Sequence, residues 1–267
     1  MNFFSEIWNT VLINPLLNAL FILYKYVGNM GVAIILLSLV VKLVTLPQAL
    51  SSMKLMKKQR DLMPELDKLK KKFGHDKQKL AEEQMKLYQE AGINPAAGCL
   101  TQVFPILIFI ALFGVINMLY GTQHQSLDVI NSKLYFDFIR LASGHAIDSS
   151  FLYLDLSKPD KIFILPVLAA ILQFLTSKMM MPVVDKAEKA AKKAGDDQAD
   201  LMYNMQEQTL YMMPIVFLIV GFSLPSGVVL NMLVSTLFSL VQQYYVSGLG
   251  GLTPWAQKIG IGRAKVS

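Results

Sequence analysis

Residues 31–46 read GVAIILLSLVVKLVTL, an apolar run that holds Lys42 and no acidic residue. A run of this kind belongs in a bilayer, and the lysine within it sets the first question. An ionisable group at membrane depth costs ~2.5–3.5 kcal/mol on insertion scales, so it faces a protein interior or a watery cavity by default. The other reading is a lysine whose four-carbon stem snorkels to the interface. The next dense basic cluster begins at Lys54, ~18 Å further along a helix, which favours the cavity. An interface already at Leu46, Pro47 and Gln48 shortens that reach and favours the snorkel.

The whole chain fits this opening. It has 267 residues, 54% of them hydrophobic and only 16% charged, with mean hydropathy +0.43. Soluble domains carry about a quarter charged residues, so the composition predicts an all-α polytopic membrane protein. The single cysteine, Cys99, excludes an intrachain disulfide framework and reads as a small apolar residue. His75, His124 and His145 have no ligand-like spacing. No phosphate-binding glycine loop and no nucleophile–base pair stands out, so no cofactor, metal or enzymatic activity is expected.

Five spans are predicted, at roughly 28–49, 102–120, 162–181, 209–224 and 227–246. The fourth is short for a ~30 Å core, so either the bilayer thins there or protein shields the helix end. Leu224-Pro225-Ser226-Gly227 makes a tight turn into the fifth. Ahead of them, residues 11–27 are apolar but broken by Asn14, Pro15, Asn18 and Lys25. That pattern reads as an interfacial helix, with an extra span as the alternative. The N-terminus, with Glu6 and no basic start, does not read as a cleavable signal. The expected division is therefore an N-terminal segment 1–27, a five-helix core 28–246 and a basic tail 247–267.

Charge orients the core. Residues 50–101 carry eleven Lys/Arg, residues 121–160 only three with five aspartates, and residues 182–208 four lysines. Basic loops stay cytoplasmic, so the N-terminus is expected outside and the C-terminus inside. Within 50–92, Leu62, Leu66, Leu69 and Phe73 form one helical stripe and Leu80, Leu87 and Ala91 another. Gly74 and Asp76 divide them, Gly92 ends the second, and Asp67/Lys71 and Glu82/Lys86 are spaced as ion pairs. The expectation is a cytoplasmic helical hairpin. Its charges are either a solvated, topology-setting face or a docking surface for ribosome, targeting factor or anionic lipid, with Lys54, Lys57, Lys58 and Arg60 as the docking candidates.

The spans also hold uncharged polar residues, among them Gln102, Asn117, Gln173, Thr176, Asn231, Ser235 and Gln242, but no Asp or Glu. Such residues serve either as helix–helix glue or as the lining of a substrate groove with Lys42. On the fifth span Asn231, Ser235, Ser239 and Gln242 share one face. The missing carboxylates weigh against a proton- or cation-coupled pump.

Two strings carry a resemblance. AGINPAAGCLTQVFPILIFIALFGVI (91–116) and MMPIVFLIVGFSLPSGVVLNMLVSTLFSLVQQ (212–243) resemble the second-span entry and the PSG…QQ signature of YidC membrane-protein insertases. These are relatives of the mitochondrial Oxa and chloroplast Albino proteins. The likeness covers roughly residues 10–247. It implies a five-helix bundle without a pore, with a hydrophilic groove open to cytoplasm and lipid, in a short form without the large extracytoplasmic domain. Lys42 stands where the family usually has arginine, and Asn231-Met232 where many members have Tyr-Trp. The implied partners are nascent membrane proteins, lipids, ribosome and Sec translocon, with no specific nucleic acid, in a bacterial plasma membrane. The competing reading is a channel or small-solute carrier that uses the same polar cavity.

Overall fold

A computed structural model describes residues 3–93, 95–120, 126–142, 147–181 and 198–258. A few side chains inside helices, Gln102 and Cys99 among them, lie outside that description, as do Asp67 and Lys71. The described chain is almost entirely helical, as expected. In order come α1 (Phe3–Trp8), a π-turn (Asn9–Ile13), α2 (Asn14–Val27), α3 (Met30–Val44), α4 (Leu46–Asp61), α5 (Met63–Phe73) and α6 (Lys77–Glu90). Then follow α7 (Pro95–Tyr120), α8 (Leu127–Ser132), strands β1 (Ser150–Phe151) and β2 (Leu154–Asp155), α9 (Ile164–Met180), α10 (Gln198–Ser223), α11 (Ser226–Ser247) and α12 (Thr253–Lys258). Ser226–Ser247 is long and apolar enough to cross a membrane, while Ile106–Tyr120, Ile164–Met180 and Leu210–Ser223 are shorter apolar stretches.

The first expected span does not run unbroken to residue 49. α3 stops at Val44, and Thr45 Oγ1 donates to the carbonyls of Val41 and Lys42 at 2.8 and 3.3 Å. Pro47, which lacks an amide hydrogen, sits in the first turn of α4, where no donor is needed. A single apolar run is therefore cut by a hydroxyl and an imino acid. Lys42 falls in the last turn of α3, where a cation also meets the negative end of the helix dipole.

The chain divides into two units. The first comprises Met1–Thr45, Gln102–Ala170 and Val216–Phe238. Its core is built from Leu17, Leu20, Phe21, Met30, Ala33, Val115, Leu119, Val228 and Val229, all 2% exposed or less. Ser5–Val27 is continuous and, by length and composition, sufficient to cross a membrane. The residues expected to break it are accommodated instead. The π-turn lies directly before Pro15 and widens the ladder where a proline ring meets the previous turn. Asn18 is buried, donating to Lys133 O at 3.0 Å and accepting from Tyr135 N. The middle of this helix thus packs on the segment that links α7 to α9.

Between β1 and β2, Leu152 and Tyr153 form a two-residue connection, with Ser150 opposite Asp155 and Phe151 opposite Leu154. The Phe151 ring occupies the space a side chain at Gly31 would need, so a glycine in α3 admits the hairpin. Asn29 Nδ2 donates to Ser150 O at 3.3 Å. On the far side of the hairpin, Asp155 pairs with Lys158 at 2.8 Å and accepts from Ser157. These partners hold its carboxyl well below the usual carboxylate range.

The second unit comprises Leu46–Thr101, Ile171–Ile215 and Ser239–Ser267. α5 and α6 form the expected hairpin, burying Met63, Leu66 and Leu80. Asp76 caps α6 by accepting from Lys79 N at 3.1 Å, and Gly92 takes the left-handed conformation that ends it. Lys86 pairs with Glu83 at 2.6 Å, a spacing of three rather than the expected four to Glu82. Lys72 and Lys79 lie over the Phe73 ring at 5.1 and 5.4 Å.

The start of the expected basic tail is structured. Gly248 ends α11 in the left-handed region, and Gly250 and Gly251 press so closely on the Lys178 and Met179 carbonyls that no Cβ fits there. Trp255 of α12 then stacks on Phe174, whose ring also meets Tyr211. Arg263 and Lys265 lie outside the described residues, as do the loop lysines of 182–197.

Candidate functional site

In the first unit, α3 and α11 run in parallel with matched steps of four. Gly227 lies against Ile34, where an added Cβ would come within 3.4 Å of Cδ1. One turn on, Ser38 Oγ lies 2.7 Å from Asn231 Oδ1 and 2.7 Å from Ile34 O. A hydroxyl has one proton, so both contacts hold together when Ser38 donates to Ile34 and the Asn231 amide presents its nitrogen. Ser38 and Asn231 are each 2% exposed. Continuing the register by one more turn brings Lys42 and Ser235 to the same two faces. Both are half-buried, as is Asn117 on α7.

Ser38 was not among the residues the sequence singled out. The available signal was its spacing of four from Lys42, which puts both on one face of α3. Asn231 and its neighbour have distinct roles. Asn231 supplies the polar bridge between α3 and α11, while Met232, 4% exposed, joins the apolar core.

Thr176, Gln173 and Gln242 fall in the second unit. Thr176 is buried and its hydroxyl donates back to Leu172 O at 2.8 Å. Gln173 Nε2 donates to Ser177 Oγ at 3.3 Å. Both are thus satisfied within α9. Gln242 differs: it is 6% exposed, and neither its Oε1 nor its Nε2 meets a partner among the described residues. Leaving a buried amide group unmade costs ~1–3 kcal/mol. Such a group suits a place reached by water or by a peptide group from another chain. The side chain of Gln102 lies outside the described residues.

The four cations picked as docking residues separate into two kinds. Lys54 and Lys58 are exposed. Lys57 Nζ donates to Val246 O at 3.4 Å, at the C-terminal end of α11. Arg60 Nη1 donates to Met179 O at 3.5 Å, at the end of α9, with its Nε on Asp61 at 3.4 Å. Cations on unsatisfied terminal carbonyls cap helices and complement their dipoles. Lys57 and Arg60 therefore hold helix ends, whatever else they contact.

Comparison with known proteins agrees with this architecture. The sequence model of the family described as 60Kd inner membrane protein matches residues 22–249. The chain is 34% identical over 227 residues to the membrane protein insertase YidC of Fusobacterium nucleatum, covering 85% of this chain and 90% of that one. It is 32% identical to the YidC of Nitratidesulfovibrio vulgaris and 32% to that of Methylobacillus flagellatus, covering 90% of this chain but only 38% and 36% of theirs. Among solved structures, a crystal structure of an active YidC insertase with its first transmembrane domain resolved superposes with a TM-score of 0.54 at 23% identity. It covers 92% of this chain and 47% of that one, a likeness of fold. The match across 22–249, together with a relative aligned over nine-tenths of its length, shows that the chain belongs to the 60Kd inner membrane protein family, that of the YidC insertases.

Proposed function

We propose that the protein inserts hydrophobic segments of nascent membrane proteins into a bacterial inner membrane and helps them fold there. Its polar face on α3 and α11 receives the hydrophilic part of the substrate. The observation that carries this is the Ser38–Asn231 bridge, with Lys42 and Ser235 one turn further on the same faces, in a member of the YidC family. No energy-coupling site is required. An apolar segment of about twenty residues, at roughly −0.3 to −0.6 kcal/mol per Leu, Ile, Phe or Val, goes downhill into lipid by several kcal/mol.

The barrier is the attached polar tail, and a short, partly hydrated path lowers it. A substrate carboxylate ~4 Å from Lys42 gains about 4 kcal/mol at an effective dielectric near 20, before desolvation is subtracted. That recruits an acidic tail without trapping it. Asn117 joins that polar lining in this reading; in the second unit, the unpartnered Gln242 amide is the group that meets substrate backbone. The N-terminus lies outside, and α4 with the basic α5–α6 hairpin lies inside, where Lys54 and Lys58 of α4 face ribosome, Sec translocon or anionic headgroups.

The test is reconstitution in liposomes with a single-span substrate. Protease protection of the substrate tail supports insertion without added nucleotide. Solute flux with no protected tail supports the channel or carrier instead.

A further inference from the structure

Among the described residues two non-glycines have positive φ, Leu152 at 54° and Phe163 at 61°. Bulky L-residues avoid this region, and such strain persists only where the surroundings over-determine it. A two-residue hairpin connection with positive φ at its first position normally takes glycine there. In this chain leucine occupies it, and its side chain is 86% exposed. The other strained residue is also an exposed apolar one, 49% exposed, beside Ile162 at 60%.

One buried carboxylate ties the two places together. Asp160, 3% exposed, accepts from Ile162 N at 3.0 Å, from Leu165 N at 2.9 Å and from the Tyr153 hydroxyl at 3.3 Å. Leu152-Tyr153 and Ile162-Phe163 therefore belong to one braced loop. The Phe163 ring meets Phe222 of α10 edge-on at 4.9 Å. Next to them, Ile164, Val167 and Leu168 of α9 and Ile219 of α10 are exposed apolar residues as well.

We propose that Leu152, Tyr153, Ile162 and Phe163 form an apolar rim that embeds in the headgroup–acyl boundary of the bilayer at the outer ends of α9 and α10. The occupant is lipid, because the rim continues the surface those helices turn to the hydrocarbon. Exposed Lys161 flanks it, placed for lipid phosphates as in other interfacial segments, while Lys158 beside it is paired with Asp155. Tyr153, 47% exposed with its hydroxyl engaged on Asp160, suits the same depth. The positive φ at Leu152 and Phe163 and the Asp160 brace hold the loop in which all four residues are exposed. The proposal rests on the membrane placement of α9 and α10 and goes beyond the insertion reading.

The experiment uses the full chain with Cys99→Ser and one new cysteine at 152, 163 or 158, labelled with an environment-sensitive nitrobenzoxadiazole dye. Each is reconstituted in phosphatidylcholine–phosphatidylglycerol vesicles. Labels at 152 and 163 should emit to the blue and be quenched several-fold more by lipid brominated near the top of its chain than by aqueous iodide. The label at 158 should show the reverse. Iodide quenching at 152 and 163 as strong as at 158 overturns the proposal. So does shielding from both quenchers that grows with protein density, which identifies a second copy as the occupant. Leu152→Gly relieves the turn and should leave the thermal midpoint in detergent unchanged or raised. A fall would show that Leu152 packs within the protein and is not held outward for lipid. None of these readouts needs insertion activity, so they fail or stand apart from it.

Discussion

Lys42 sits in the last turn of α3, four residues beyond the buried Ser38 that meets Asn231. Its charge and its geometry can be separated by substitution. Lys42→Arg should keep insertion, because charge and reach survive while the point charge becomes a planar fork. Lys42→Ala should weaken insertion most for substrates with acidic translocated tails, which have the most Coulomb energy to lose. Lys42→Glu should be worst. The check is protease protection of matched acidic and neutral substrates. An alanine variant that inserts both equally well removes the recruitment mechanism and leaves Lys42 as a snorkelling, helix-ending cation. The Ser38–Asn231 bridge is a separate test. Ser38→Ala, Asn231→Leu and the double variant should show a coupling of about 0.6–1.7 kcal/mol in a stability cycle, the range for polar pairs between spans. Additive effects would mean that α3 and α11 are held by apolar packing alone.

Pro225-Ser226-Gly227 reads from sequence as the turn that pairs the fourth and fifth spans, yet its contacts lead elsewhere. Ser226 is fully buried, its Oγ and N both donating to Lys158 O at 2.7 and 2.8 Å, and Gly227 N donates to Leu156 O at 3.2 Å. The start of α11 thus locks the segment after the β-hairpin onto the bundle. Ser226→Ala should lower stability by about 0.5–1.5 kcal/mol, since one of two bonds to that carbonyl is lost. Gly227→Ala should cost more, about 1–3 kcal/mol, because its Cβ would be pressed at once by Leu156 O, Ile116 and Ile34. Equal thermal midpoints for both variants and the parent would contradict this lock. In the second unit, the α5–α6 hairpin has its own small core, whereas Arg60 just before it holds the end of α9. Deleting Met63–Glu90 should impair insertion and leave the thermal midpoint of the remainder in place. Loss of the midpoint would make the hairpin part of the scaffold.

At the scale of the whole chain, the proposed orientation follows from where lysine and arginine accumulate. In a Cys99→Ser background, a cysteine at Ser157 should react with an impermeant maleimide on intact cells. One at Lys86 should react only after permeabilisation. The opposite pattern would invert the topology and place the strained rim at the cytoplasmic face. Helical character, the Asp76 cap, the Gly92 stop and the position of Lys42 on an apolar helix were all legible beforehand. Each is decided by residues within about one helical turn of one another, through periodicity, capping and backbone freedom.

What only the tertiary structure decided is which distant groups meet. Asn231 finds Ser38 across 193 positions, and Arg60 reaches Met179 across 119. Asn18, which reads as a helix interruption, is satisfied by a backbone 115 and 117 residues away. No local pattern encodes these pairings, because a buried polar group needs a partner but its own sequence does not say which. The sequence alone therefore determined the helical class, the family and a lysine on an apolar helix. Chain packing determined which polar side chains hold the spans together and left Gln242 as the buried amide without a protein partner among the described residues.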